Sequence, residues 1–203
     1  MFQKKKEENL EVEIIDLDKE KVEEKEDSLM REIISTAIYL LAVVALTFLF
    51  VQYVGQRTYV NGDSMNVTLQ DGDNLIVDKI SYRFKEPERY DIIVFPYKHQ
   101  ENTYYIKRII GLPGETVQVK DGMVYIDGEV LEESYGKETM NSSGVAGEPI
   151  VLEEDEYFVL GDNRNNSSDS RDPSVGNIKK EDIVGRAFLR IWPLNKFGIL
   201  KHQ

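Results

Sequence analysis

The sequence predicts a mainly β protein, an antiparallel coiled sheet or partly open barrel, preceded by one N-terminal transmembrane helix. Three observations predict it. Residues 33–54 run without a single charge. The remainder is broken into short β-prone runs separated by Asp-Gly, Pro-Gly or Asn-rich turns. No long amphipathic helical pattern interrupts those runs.

Residues 1–32 are almost all charged, with apolar positions scattered at Leu10, Val12, Ile14, Ile15 and Leu17. Such a composition predicts a solvated, disordered tail, or else a short strand or helix laid on a partner. The uncharged run from Ile33 to Val54 follows. At ~1.5 Å per residue it spans a hydrocarbon core of ~30 Å. It is too long for the apolar part of a cleavable signal peptide, and the charged lead before it is long as well. Lys19, Lys21, Lys25 and Arg31 precede the run, whereas Arg57 alone follows it closely. The positive-inside rule counts these cations and places the N-terminus in the cytoplasm, with everything beyond Arg57 outside.

In the outer region, 55–203, strands are expected at 74–78, 91–95, 103–110, 116–119, 123–126 and 156–160. Asp121-Gly122 and Asp127-Gly128 are two-residue hairpin turns. The stretch from about 117 to 149 carries a hairpin and then Gly-, Ser- and Asn-rich sequence, and reads as an insertion or flap outside the core.

Composition narrows the function. A chain of 203 residues has room for one domain plus appendages. Without cysteine there is no disulfide scaffold, thiol nucleophile or cysteine metal site. The only histidines are His99, in a polar loop, and His202 at the C-terminus, which argues against a Ser-His-Asp triad or a multi-histidine metal site. No cofactor is expected. The net charge of −12 argues against a nucleic-acid partner, because phosphate binding needs a basic surface.

Two segments carry chemistry. Gly62-Asp63-Ser64-Met65-Asn66-Val67-Thr68-Leu69 puts a serine just after a glycine turn. Tyr105-Ile106-Lys107-Arg108-Ile109-Ile110-Gly111 puts a lysine inside a β-prone run. A serine hydroxyl needs a base near neutral pH, and a lysine serves only if burial lowers its pKa by several units. Alone, a turn serine usually bonds its own backbone, and a strand lysine usually points to water. Strand alternation puts Tyr105, Lys107 and Ile109 on one face, and Ile106, Arg108 and Ile110 on the other.

These segments resemble the serine and lysine boxes of the type I signal (leader) peptidases, a Ser-Lys family. Gly161-Asp162-Asn163-Arg164-Asn165-Asn166-Ser167-Ser168-Asp169-Ser170-Arg171 is similar to that family's third box. The resemblance runs from about Ile33 to Leu200. It implies Ser64 as nucleophile and Lys107 as general base, in a membrane-anchored endopeptidase that removes signal peptides from exported preproteins. By the same resemblance Ser167 bonds the Lys107 amine, Asp162 pairs with Arg108, and Asp169 pairs with Arg171. Val60, Gly62, Met65, Leu69, Tyr105 and Ile106 bind substrate, giving cleavage after small-x-small sequences. Phe84, Phe95, Trp192 and Pro193 are candidates for bilayer contact, and the secretion machinery is a candidate neighbour.

Two departures stand out. Gly62 occupies a position where some relatives carry a hydroxyl for the oxyanion hole, and Val67 stands where the family usually has proline. Val67 and the acidic tail are the only features favouring a silent homologue that serves surface or pilus assembly. A soluble, self-cleaving Ser-Lys protease of the SOS-repressor type would lack the span and carry a DNA-binding region, the opposite of this chain.

Overall fold

The computed structural model describes residues 2–136 and 138–201. His202 lies outside the described residues, as do the side chains of 1–24 on which the tail reading rests. The chain divides into two units, residues 1–50 and 51–203.

Helix α1 (Phe2–Tyr53) is continuous for 52 residues, so it includes the charged stretch as well as the apolar run. No glycine or proline occurs before Gly55. The stretch is rich in Glu, Lys and Leu, which are good helix formers, and the backbone meets no stop signal. Within it, Ser28–Tyr53 is long and apolar enough to cross a bilayer.

The second unit is antiparallel β. In chain order it contains β1 (Gly55–Tyr59), β2 (Asn74–Asp78), β3 (Ile92–Pro96), β4 (Tyr104–Gly111), β5 (Thr116–Lys120), β6 (Met123–Ile126), β7 (Glu129–Val130), β8 (Ile150–Val151), β9 (Glu156–Leu160), β10 (Ile178–Lys179), β11 (Gly185–Trp192) and β12 (Gly198–Ile199). One sheet runs β1-β2-β11-β3-β4-β9-β10, with β12 beside β11, and it stays open rather than closing into a barrel. The second runs β7-β6-β5-β8. Six strands fall where the sequence places them, within a residue at each end.

The centre of the large sheet is buried on both faces. Along β3, Ile92 and Val94 enter one apolar cluster with Val60, Met65, Leu69 and Ile106. Ile93 and Phe95 enter another with Ile109, Tyr157 and Val159. Period-two alternation thus supplies two cores from one strand. Phe95 is 1% exposed and packs among Ile93, Ile109, Tyr157 and Val159, so it does not reach a bilayer as the sequence reading allowed, although the next residue, Pro96, is exposed. Phe84 and Trp192 are exposed.

The 117–149 stretch is not confined to a flap. Val117, Val119, Val124, Met140 and Ala146 are buried in a third cluster with Tyr90 and with Ile110, Phe158 and Leu160 of the large sheet. Both Asp-Gly turns have positive φ at both central residues (51° and 75° at 121–122, 51° and 85° at 127–128), as a type I′ hairpin requires. Gly111, where β4 passes toward this sheet, has no room for a side chain: a Cβ there would lie 2.5 Å from Val117 and 2.8 Å from Leu152.

Candidate active site

The turn between β1 and β2 presents Ser64. Gly62 has φ +98°, open to glycine and strained for other residues, and its N–H donates to Asp71 Oδ1 at 2.9 Å. The next turn closes through Asn66 N–H to Asp63 O at 3.0 Å and Leu69 N–H to Met65 O at 2.8 Å. Met65 and Leu69 point into the core, which fixes the turn and leaves Ser64 half-buried. Val67 is 62% exposed, and the turn closes without proline there.

Lys107 comes from the middle of β4, paired with Ile93 of β3. It is 3% exposed. Its Nζ lies 2.8 Å from Ser64 Oγ and donates to the Ile106 carbonyl at 3.0 Å. The amine also sits 5.0 Å from the centre of the Tyr105 ring, on the strand face that alternation assigned to both. Burial pushes its pKa down to about 8 from the usual 10.5, against the opposing pull of the Asp169 and Asp162 carboxylates.

The loop after β9 supports both residues. Asp162 receives Arg108 Nε at 2.9 Å and Nη2 at 2.8 Å, and neither side chain has any exposure. A third Arg108 nitrogen donates to the Tyr90 carbonyl at 2.9 Å, and the guanidinium lies 3.6 Å over the Tyr135 ring. Asp169 receives Arg171 Nε at 2.8 Å and Nη2 at 2.9 Å. Both expected pairs are therefore in place. Ser167 differs: its hydroxyl is buried without a hydrogen-bond partner, and the Lys107 amine bonds Ser64 and the Ile106 carbonyl instead. Ser167 Oγ is packed against Gly161, where a Cβ would lie 2.2 Å from it.

A cleft of about 510 Å³ opens beside the pair. Val60, Gly62, Met65, Tyr105 and Ile106 line it as expected, joined by Thr58, Asn102, Asn166 and Ser168, which the sequence did not single out. Leu69 does not line it. Four residues after Met65 on a helical turn, it faces the core and has no exposure. Among the described residues no group of three or more His, Asp or Glu side chains converges as a metal site.

The sequence also missed two partners of the loop. Arg164 pairs with Glu133 through two nitrogens, one bond measuring 2.6 Å. Thr68 Oγ1 donates to Asp162 Oδ2 at 2.5 Å. A polar residue far from any recognisable motif, such as Glu133, gives no sequence signal of its own.

A hydroxyl within hydrogen-bond reach of a buried amine, beside an open cleft, is a candidate arrangement for nucleophilic catalysis. The chain belongs to the signal peptidase family, peptidase S26, whose family model matches residues 30–192. It is 45% identical over 155 residues to the signal peptidase I of Leptolyngbya laminosa, covering 73% of this chain and 74% of that one. With the probable signal peptidase I-2 of Synechocystis it shares 42% identity over 153 residues, 73% of this chain and 68% of the relative. A signal peptidase I crystal structure from Enterococcus faecalis V583 matches 50% of this chain and 97% of its own, at 36% identity and TM-score 0.42. The protein is thus a peptidase of the family that cleaves signal peptides.

Proposed function

We propose that this chain is a membrane-anchored endopeptidase that removes signal peptides after small-x-small sites, with Ser64 as nucleophile and Lys107 as general base. The observation that carries the reading is the 2.8 Å approach of a buried, pKa-lowered amine to the Ser64 hydroxyl. The neutral amine takes the serine proton as Oγ attacks the scissile carbonyl, and then protonates the leaving amine of the mature chain. Water, deprotonated by the same amine, releases the signal peptide from Ser64.

The substrate lies extended in the cleft between 58–65 and 102–107, where Val60, Met65, Tyr105 and Ile106 offer apolar walls to small side chains. The Ser64 N–H is the oxyanion donor. The Gly62 N–H is already committed to Asp71 Oδ1 at 2.9 Å. The apolar part of α1 anchors the chain, with the tail inside and the β unit outside.

The test is cleavage of a preprotein carrying an Ala-x-Ala site by the detergent-solubilised chain, beside Ser64→Ala and Lys107→Ala. Cleavage after the second alanine, lost in both variants, is expected. An intact, folded chain that cleaves none of several preproteins would replace this reading with the silent assembly-factor one.

A further inference from the structure

We infer that Thr68 is a positioning residue for the Ser64–Lys107 pair, tying the nucleophile's turn to the ion pair that flanks the base. This rests on the roles proposed for Ser64 and Lys107. Thr68 is half-buried and lies four residues after Ser64, within the turn closed by the Asp63–Asn66 and Met65–Leu69 backbone bonds. Its hydroxyl donates to Asp162 Oδ2 at 2.5 Å and accepts from Arg108 Nη2 at 3.3 Å. Its carbonyl accepts from Arg190, whose guanidinium is held 3.2 Å from the buried Asp73 carboxylate. Side chain and main chain of this one residue are thus both held by charged groups, the first by the buried Asp162 and Arg108 and the second by the partly buried Arg190.

The geometry explains why such a tie acts on the site. Arg108 directly follows Lys107 on β4, and Asp162 directly precedes Asn163, whose N–H donates to the Ser64 carbonyl at 3.0 Å. The serine turn, the lysine strand and the loop after β9 therefore meet at the Thr68 hydroxyl. Asp162 already holds two Arg108 nitrogens, so the extra bond is not required to neutralise its charge. What it adds is the placement of the turn. A hydrogen bond of 2.8 Å weakens quickly beyond ~3.2 Å, so a small drift of the turn separates Ser64 from its base. The hydroxyl also shares the charge of Asp162, one of the two carboxylates that pull the Lys107 pKa upward. Removing it strengthens that pull.

The experiment compares Thr68→Val, which keeps the shape, with Thr68→Ser, which keeps the hydroxyl. Each full chain is assayed in detergent on an Ala-x-Ala preprotein, and the folded fraction is measured in parallel. Thr68→Val is expected to lower kcat at least about tenfold with KM within about twofold, and to move the acid limb of the pH profile upward. Thr68→Ser is expected to keep at least half of wild-type kcat. NMR titration of the Lys107 amine in labelled chain reads the same upward shift without needing a substrate. Loss explained by unfolded protein, a rise in KM alone, a Thr68→Ser variant as impaired as Thr68→Val, or an unmoved Lys107 titration would each overturn the inference. Failure of the wild type to cleave would sink the peptidase assignment of the pair while the titration still decides the role of Thr68.

Discussion

Asn163 donates its backbone N–H to the Ser64 carbonyl at 3.0 Å and its side-chain nitrogen to the adjoining Asp63 carbonyl at 3.1 Å. The loop after β9 is thereby fastened to the Ser64 peptide rather than to the Ser64 side chain.

That closeness makes Gly161 sensitive. A Cβ at this position would lie 2.5 Å from the Ser64 carbonyl oxygen and 2.2 Å from Ser167 Oγ. The backbone neighbour cannot swing aside without moving Ser64. Gly161→Ala is expected to reduce kcat by about a hundredfold, the scale of a misplacement near 1 Å. Retention of wild-type turnover by the folded variant would contradict this.

The pH dependence follows from Lys107. Its folded-state pKa is lowered to about 8, and only the neutral amine can accept the serine proton. Activity should therefore fall as pH drops through about 8 and level off above it. The stability linkage has a definite sign. Between about 8 and 10.5 the unfolded chain binds a proton that the folded chain does not, so stability rises with pH across that window. Lys107→Met removes the penalty of burying the amine. It should raise the melting midpoint at pH 7, and the gain should shrink as pH approaches 10.5. A gain that does not change with pH would place its origin elsewhere.

Arg108 and Asp162 form a pair with no exposure on either side. Removing one partner strands a buried charge, which typically costs 3–5 kcal/mol, although the intact pair adds little net stability. Asp162→Ala should lower the denaturant midpoint severely. The double variant Arg108→Met, Asp162→Leu should recover much of that stability and none of the activity. Equal destabilisation of the single and double variants would mean the pair is not the unit that matters.

The parts that were legible in the sequence share one property: their signal is local. Asp121-Gly122 and Asp127-Gly128 specify their turns through the φ values they tolerate, and Asp91–Phe95 reads as a strand from its own β-branched run. Strand β11, Gly185–Trp192, escaped because Arg186 and Arg190 interrupt its apolar pattern. Their charges meet carboxylates distant in sequence, Asp91 at 3.5 Å from Arg186 and Asp73 at 3.2 Å from Arg190. Ser64, Lys107, Arg108 and Asp162 stand out in the sequence because each lies in a box whose spacing is itself the signal. Leu69 was misplaced in the same box because the helical turn that rotates it inward is a product of folding.

The strap joining β7 to β8, residues 131–149, grips the loop after β9. Arg164, 3% exposed, is held by Glu133, and Asn165 bonds Asn141 N at 2.8 Å and Thr139 O at 3.0 Å. Arg171 reaches Ser142 O at 3.1 Å and accepts from Val145 N at 3.0 Å through its own carbonyl. Glu133→Ala leaves the Arg164 guanidinium without its carboxylate, although the Gly161 carbonyl at 3.1 Å remains. The expected cost is about 1–3 kcal/mol, since the lost partner strands a nearly buried donor. The carboxylates that act on Lys107 are Asp169 and Asp162, not Glu133. Turnover should therefore fall several-fold while the acid limb of the pH profile stays in place, and protease cuts should appear within 131–149. A displaced limb would mean that the strap reaches the base itself, and unchanged turnover would mean that Arg164 holds the loop without Glu133.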